Sequence, residues 1–131
     1  MKLRYKVAGG FLLVFVAALS LLAIVLSHNS ECGPAPAVSE DAEKMKAITY
    51  RCYGSPDILN YEDVEKPVPA DDEVLVRIHA AAVNPLDWHY MRGSPYLMRL
   101  SSGLGAPDDT GLGVDFAGTV EAVGKNVSTF K

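Results

Sequence analysis

Only two cysteines, three histidines and one tryptophan occur in this 131-residue chain, and each scarcity excludes something. Cys32 falls in a linker-like stretch and Cys52 in a strand-like one, which is neither a disulfide framework nor a metal cluster, so two free thiols are expected. Basic residues are few: 12 Lys and Arg stand against 16 Asp and Glu. No run of them interleaves with aromatics beyond the first few positions, which removes nucleic acid as an expected partner. A dinucleotide fingerprint is lacking too. Gly111, Gly113 and Gly118 do not match Gly-x-Gly-x-x-Gly between a strand and a helix, and read as turn and close-packing glycines. The length leaves room for one modest soluble domain.

One further absence is charge between Val7 and Leu26. About 20 apolar residues rising ~1.5 Å each match a hydrocarbon core of ~30 Å, so residues 7–26 are expected to form a transmembrane helix, a signal anchor behind a basic flank at residues 1–6. The apolar core of a cleaved signal peptide is shorter, about 7–15 residues, and the only nearby small-x-small site, Ala35-Pro36-Ala37, lies well beyond the run. Lys2, Arg4 and Lys6 precede the run, whereas no Lys or Arg comes after it until Lys44. The positive-inside rule therefore puts the N-terminus in the cytoplasm. Residues 27–44, with Pro34, Pro36 and small or acidic side chains, cannot bury enough apolar area to offset their ordering entropy and are expected to be a flexible linker.

From Met45 the pattern changes to short strand-like runs. Met45 to Tyr53 alternates, with Ala47, Thr49, Arg51 and Tyr53 opposed to Ile48, Tyr50 and Cys52. Gly54-Ser-Pro56 turns the chain, Ile58 to Val64 makes a second run, and Lys66-Pro67-Val68-Pro69 removes ladder donors. Glu73 to Val83 is the strongest strand, carrying Val74, Val76, Ile78 and Ala80 on one face and Leu75, Arg77 and His79 on the other. Asn84-Pro85 breaks it, and Leu86 to Arg92 reads as a short helix ending at Gly93. A loop from Gly93 to Gly111 leads to a last strand over Gly113 to Val123. The fold class expected is mainly β, a small antiparallel barrel with one short helix behind a transmembrane helix.

Five segments, in order, carry a resemblance. They are Met-Lys-Ala-Ile-Thr-Tyr from Met45, Gly-Ser-Pro-Asp-Ile-Leu from Gly54, Asp-Glu-Val-Leu-Val-Arg-Ile from Asp72, Ala-Val-Asn-Pro-Leu-Asp-Trp from Ala82 and Gly-Val-Asp-Phe-Ala-Gly-Thr-Val-Glu-Ala-Val-Gly from Gly113. Together they resemble the GroES-like N-terminal domain of medium-chain dehydrogenases and reductases, in the zinc-free quinone oxidoreductase branch. The resemblance covers residues 45–131 and implies a partial GroES-like barrel, with the Rossmann domain of such enzymes absent from this stretch. Where zinc-dependent relatives place a cysteine ligand this chain has Asn84, and where their Gly-His-Glu supplies histidine it reads Gly113-Val114-Asp115. An amide and an aliphatic side chain do not replace thiolate and imidazole, so no metal site is expected.

The resemblance also implies roles. Asn84 would lie near the nicotinamide end of the cofactor, as a catalytic and partial cofactor-binding residue, although Asn before Pro is equally a common turn pair. His89 falls near where zinc-free relatives carry a tyrosine facing the substrate, and an imidazole can donate a proton near neutral pH; an exposed helix-end histidine is the other reading. Trp88 and Tyr90 would line the substrate pocket or simply pack. Asp87 and Asp115 would be structural, bonding the corner and the barrel. The function implied is the substrate-side domain of a membrane-anchored, zinc-independent, NAD(P)H-dependent oxidoreductase acting on a small carbonyl, enone or quinone. Self-association stays open. A non-catalytic membrane-tethered barrel module, or a remnant, is the competing reading. Sidedness conflicts with the cofactor: the charge rule exports the residues after Leu26, while nicotinamide cofactors are cytoplasmic.

Overall fold

A computed structural model describes residues 2–130. Helix α1 runs Lys2–Ser27. From Gly9 to Val25 its side chains are exposed all round and only Leu26 turns into the rest of the molecule. The stretch Gly9–Ser27 is long and apolar enough to cross a membrane.

The rest builds two antiparallel ladders. Strands β1 (Lys44–Thr49) and β2 (Asn60–Glu65) pair from Lys44 opposite Glu65 to Thr49 opposite Asn60. Strands β3 (Val74–Ala82) and β4 (Asp115–Val123) pair from Val74 opposite Val123 to Ala82 opposite Asp115, with register shifts after Leu75 and Ile78. The two ladders share no strand. They are two small separate sheets rather than the closed antiparallel barrel that the alternation suggests. Lys66, just after β2, spans the gap with an ammonium 2.9 Å from Glu43 and 2.7 Å from Glu121 on β4, where Arg77 of β3 adds a contact of 3.2 Å. The Lys66 hydrogen bond, followed by that of Arg77, holds the Glu121 carboxyl below the usual carboxylate range. Such exposed pairs orient more than they stabilise.

Between β3 and β4 in sequence lie helix α2 (Pro85–Arg92), a 3-10 turn at Tyr96–Met98 and the short helix α3 (Arg99–Ser102). The expected loop from Gly93 to Gly111 is thus partly helical. The first strand also stops sooner than its alternation suggests, at Thr49 rather than Tyr53. The Tyr50 amide leaves the ladder for the Thr110 carbonyl at 3.0 Å, and the neighbours Cys52 and Tyr53 are both buried, which alternation forbids.

Two tertiary contacts explain that inward turn. Cys32 and Cys52 are joined in a disulfide with Cα atoms 4.7 Å apart, so the expectation of two free thiols is corrected. A spacing of 20 residues in sequence says nothing about proximity. What brings them together is the course of residues 28–43, which form almost no regular structure yet bond to the domain through Ser30 N–H to Gly105 O at 2.8 Å and Ser39 N–H to Glu65 Oε1 at 2.9 Å.

The second contact is Arg99, only 2% exposed. Its guanidinium lies over the rings of Tyr53 and Tyr96, 4.4 and 4.7 Å from their centroids. No carboxylate meets it among the described residues. Instead Nε donates to Gly93 O at 2.8 Å, Nη1 to Leu26 O at 3.0 Å and His28 O at 2.8 Å, and Nη2 to Arg92 O at 3.4 Å. These carbonyls belong to the C-terminal ends of α1 and α2, where backbone acceptors are unsatisfied and the helix dipole is negative. One cation therefore caps both helices. Gly93 makes room for it: its φ is 57°, and an added Cβ would stand 2.7 Å from both Arg99 and Tyr53.

Replacing Arg99 with Met keeps an apolar stem but orphans those carbonyls, and we expect a loss on the order of 2–4 kcal/mol. Urea unfolding of the full chain in mild detergent, followed by Trp88 emission, should show a midpoint lower by about 1 M or more. An unchanged midpoint would mean that water satisfies the helix ends equally well.

Candidate functional site

The corner between β3 and α2 is set by local chemistry. Asn84 is extended, at φ −130° and ψ 172°, and caps the helix: its Oδ1 accepts from Leu86 N–H at 2.7 Å, while Asp87 Oδ2 accepts from Asn84 N–H at 2.9 Å. This reciprocal box uses an Asp at the third helical position, and Pro85 supplies the first, where a missing N–H costs nothing. The Asn84 amide then reaches across to the start of β4, donating from Nδ2 to Asp115 Oδ2 at 2.6 Å. Its second Nδ2 hydrogen has no partner among the described residues.

Asp87 is buried and its Oδ1 has no hydrogen-bond partner among the described residues. The side chain borders a cavity of about 370 Å³ lined also by Ile48, Leu59, Val83, Trp88, Met91 and Leu112. An apolar lining suits a small, mostly apolar ligand. Trp88, half-exposed, contributes to that lining. Tyr90 does not; it faces a separate and more polar cavity of about 330 Å³ shared with Tyr50, Ser102, Asp108 and Asp109. The two aromatics proposed for one pocket thus serve two. Burial, with Tyr53 and Asp109 nearby, pushes the Tyr50 phenol up to about 12.

His89 lies in the last turn of α2, and its Nδ1 is 2.6 Å from the Ser94 carbonyl. A carbonyl can only accept, so Nδ1 carries the proton, and Nε2 of the neutral ring is left as an acceptor. The ring meets Trp88 edge-on at 5.0 Å between centroids. Five residues along a helix separate Asn84 from His89 by about 7.5 Å of rise and about 140° of rotation, so the two point to different sides of the corner. Trp88, four residues on, is the side chain that shares the Asn84 side. His79 bonds across the sheet to Thr119 at 3.0 Å, a ladder contact. Among the described residues no three His, Cys, Asp or Glu side chains are grouped to hold a metal ion.

The corner is thus a capped strand-to-helix turn closed against the start of the next strand. Residues 70–131 match the alcohol dehydrogenase GroES-like domain family. Over 88 residues, 66% of the chain and 25% of the relative, the sequence is 40% identical to a quinone oxidoreductase of Sus scrofa. It is also 40% identical over 86 residues to one of Pseudomonas aeruginosa, covering 66% of this chain and 24% of that one. The structure of the quinone oxidoreductase from Coxiella burnetii superposes with a TM-score of 0.56 at 33% identity, over 68% of this chain and 27% of that one. Over about two thirds of its own length the chain is thus similar to quinone oxidoreductases, and its residues 70–131 resemble the GroES-like domain of alcohol dehydrogenases. It spans about a quarter of the length of the curated relatives it matches.

Two substitutions separate the roles of Asn84. Asn84→Ala should cost about 1 kcal/mol through the lost cap. Asn84→Asp keeps a capping oxygen but sets a carboxylate against Asp115; one of the two then resists ionisation, and the stability lost at neutral pH returns as the pH falls through their raised titration. Thermal melts of the full chain at pH 7 and pH 4 check both, and an Asp variant indifferent to pH would show that the Asp115 contact is not maintained.

Proposed function

We propose that the chain is the substrate-side part of a membrane-anchored, zinc-independent, NAD(P)H-dependent oxidoreductase acting on a quinone, enone or related carbonyl. One observation carries the metal-free part of this reading: Asn84, where zinc-dependent relatives place a cysteine ligand, is hydrogen-bonded to Asp115, the neighbour of Val114, which stands where they place a histidine ligand. The donors fit no tetrahedral zinc site, because Val114 offers no ligand atom and the Asn84 oxygen is committed to the helix cap.

A reduced nicotinamide, when bound, supplies a hydride. The residues of this chain supply the rest of the wall. Asn84 is held by its cap and by Asp115 so that its remaining amide hydrogen can donate to a developing oxyanion or to the cofactor. In the imidazolium form His89 would donate a proton from Nε2, its other nitrogen being fixed on Ser94 O. The cavity beside Trp88 would take the apolar body of the substrate. A short-chain quinone titrated into the full chain in detergent should quench Trp88 emission saturably while metal analysis of the same sample finds no stoichiometric zinc. One tightly held zinc per chain, or strictly linear quenching, overturns the proposal.

The anchor is Gly9–Ser27, with the N-terminus cytoplasmic. Lys2, Arg4 and Lys6 favour that sidedness. So does the Cys32–Cys52 bridge, because disulfides persist where thiols are not kept reduced. Reduced nicotinamide must then be available on the far side of the membrane. A reporter fused after residue 131 should be active as an exported protein; cytoplasmic activity would reverse the orientation.

A further inference from the structure

The end of α1 is not loosely tethered to the domain. Arg99 holds the Leu26 and His28 carbonyls, and only residues 28–31 separate the helix from Cys32, which is bonded to Cys52. Ile24, Val25 and His28 share a cleft with Leu104 and Gly105. If the apolar stretch of α1 lies in a bilayer, whatever surrounds Arg99 lies at the bilayer surface.

Those surroundings are apolar on their outer side. While Arg99 points inward, Leu97 and Leu100, three positions apart on the same turn, point outward and are 67% and 64% exposed. Leu104 is exposed beside the helix end. No carboxylate occurs from Gly93 to Pro107, and the one charged side chain there is the buried Arg99. Tyr96, next to Leu97 in sequence, and Trp88 are both half-exposed and line a common hollow with Asn29, Arg92 and Arg99. Exposed leucines accompanied by a tyrosine and a tryptophan, with no acid to desolvate, match the chemistry of the zone between headgroups and acyl chains.

We propose that Leu97, Leu100 and Leu104, together with Tyr96 and Trp88, are a second membrane contact that seats the domain on the bilayer. This rests on α1 spanning the membrane. The contact fixes the domain's orientation and brings Trp88, which also lines the cavity at the Asn84 corner, to the lipid surface. A lipid-soluble substrate would then reach the cavity without crossing water.

Trp88 is the sole tryptophan and reports directly. The full chain is reconstituted into phosphatidylcholine vesicles with and without brominated acyl chains. Seating within ~5–10 Å of the acyl boundary should lower Trp88 emission by about half in the brominated vesicles. The double substitution Leu97→Asp with Leu100→Asp should abolish most of that quenching while the chain still floats with the vesicles, and Leu97→Gln with Leu100→Gln, which adds no charge, should reduce it in part. Circular dichroism shows whether each variant keeps its strands. A chain that floats with the vesicles but shows equal emission in both lipids overturns the seating and leaves the anchor standing. A chain that fails to float overturns the anchor, and the seating with it.

Discussion

A buried guanidinium without a counter-ion holds this molecule together. Arg99 has no carboxylate within reach among the described residues, and its charge is met by four backbone carbonyls and two tyrosine rings. Desolvating a cation is tolerable only when nearly every N–H finds an acceptor. The acceptors it finds are the ends of α1 and α2, so the segment that precedes the domain and the helix that carries the site end on one side chain. Around it the other constraints line up: Gly93 must be left-handed and lack a side chain, and the Tyr53 hydroxyl donates to Gly103 O at 2.8 Å while its ring faces the guanidinium.

The corner at Asn84 is a different kind of joint. Everything within the corner itself is local, because a cap, a proline and an aspartate three residues on are enough to start a helix. Its one distant bond, to Asp115, ties the helix start to β4. On the proposed function, the amide there is a directed hydrogen-bond donor in place of a Lewis acid, which suits hydride transfer to an already polarised acceptor. The same joint leaves Asp87, which borders an apolar cavity, with one oxygen committed to the backbone and the other buried without a hydrogen-bond partner among the described residues.

Local periodicity made much of the fold legible. The alternation of Glu73 to Val83, the Asn-Pro break and the Gly93 stop located β3, α2 and their corner to within a residue or two, because each rests on interactions between near neighbours. The apolar helix was equally plain, since an uncharged run of that length is evident in the residues themselves. Motif order disclosed the family resemblance and brought Asn84, Asp87 and Asp115 forward together. Arg99 escaped notice. An arginine alone between Gly93 and Gly103, in a stretch with no acid to pair it, was the available signal, yet nothing local says what such a residue bonds to.

Chain composition alone thus dictated the short-range features: helix and strand identity, caps, the missing metal ligands and the apolar helix. Folding in three dimensions decided the joining of Cys32 to Cys52, the end of β1 at Thr49, the assignment of Trp88 and Tyr90 to different cavities and the capping of two helices by Arg99. The division is one of range. A backbone hydrogen bond to a residue four positions away is written in the pattern around it, whereas a bond across 73 positions, such as Arg99 to Leu26, exists only once every intervening turn has closed.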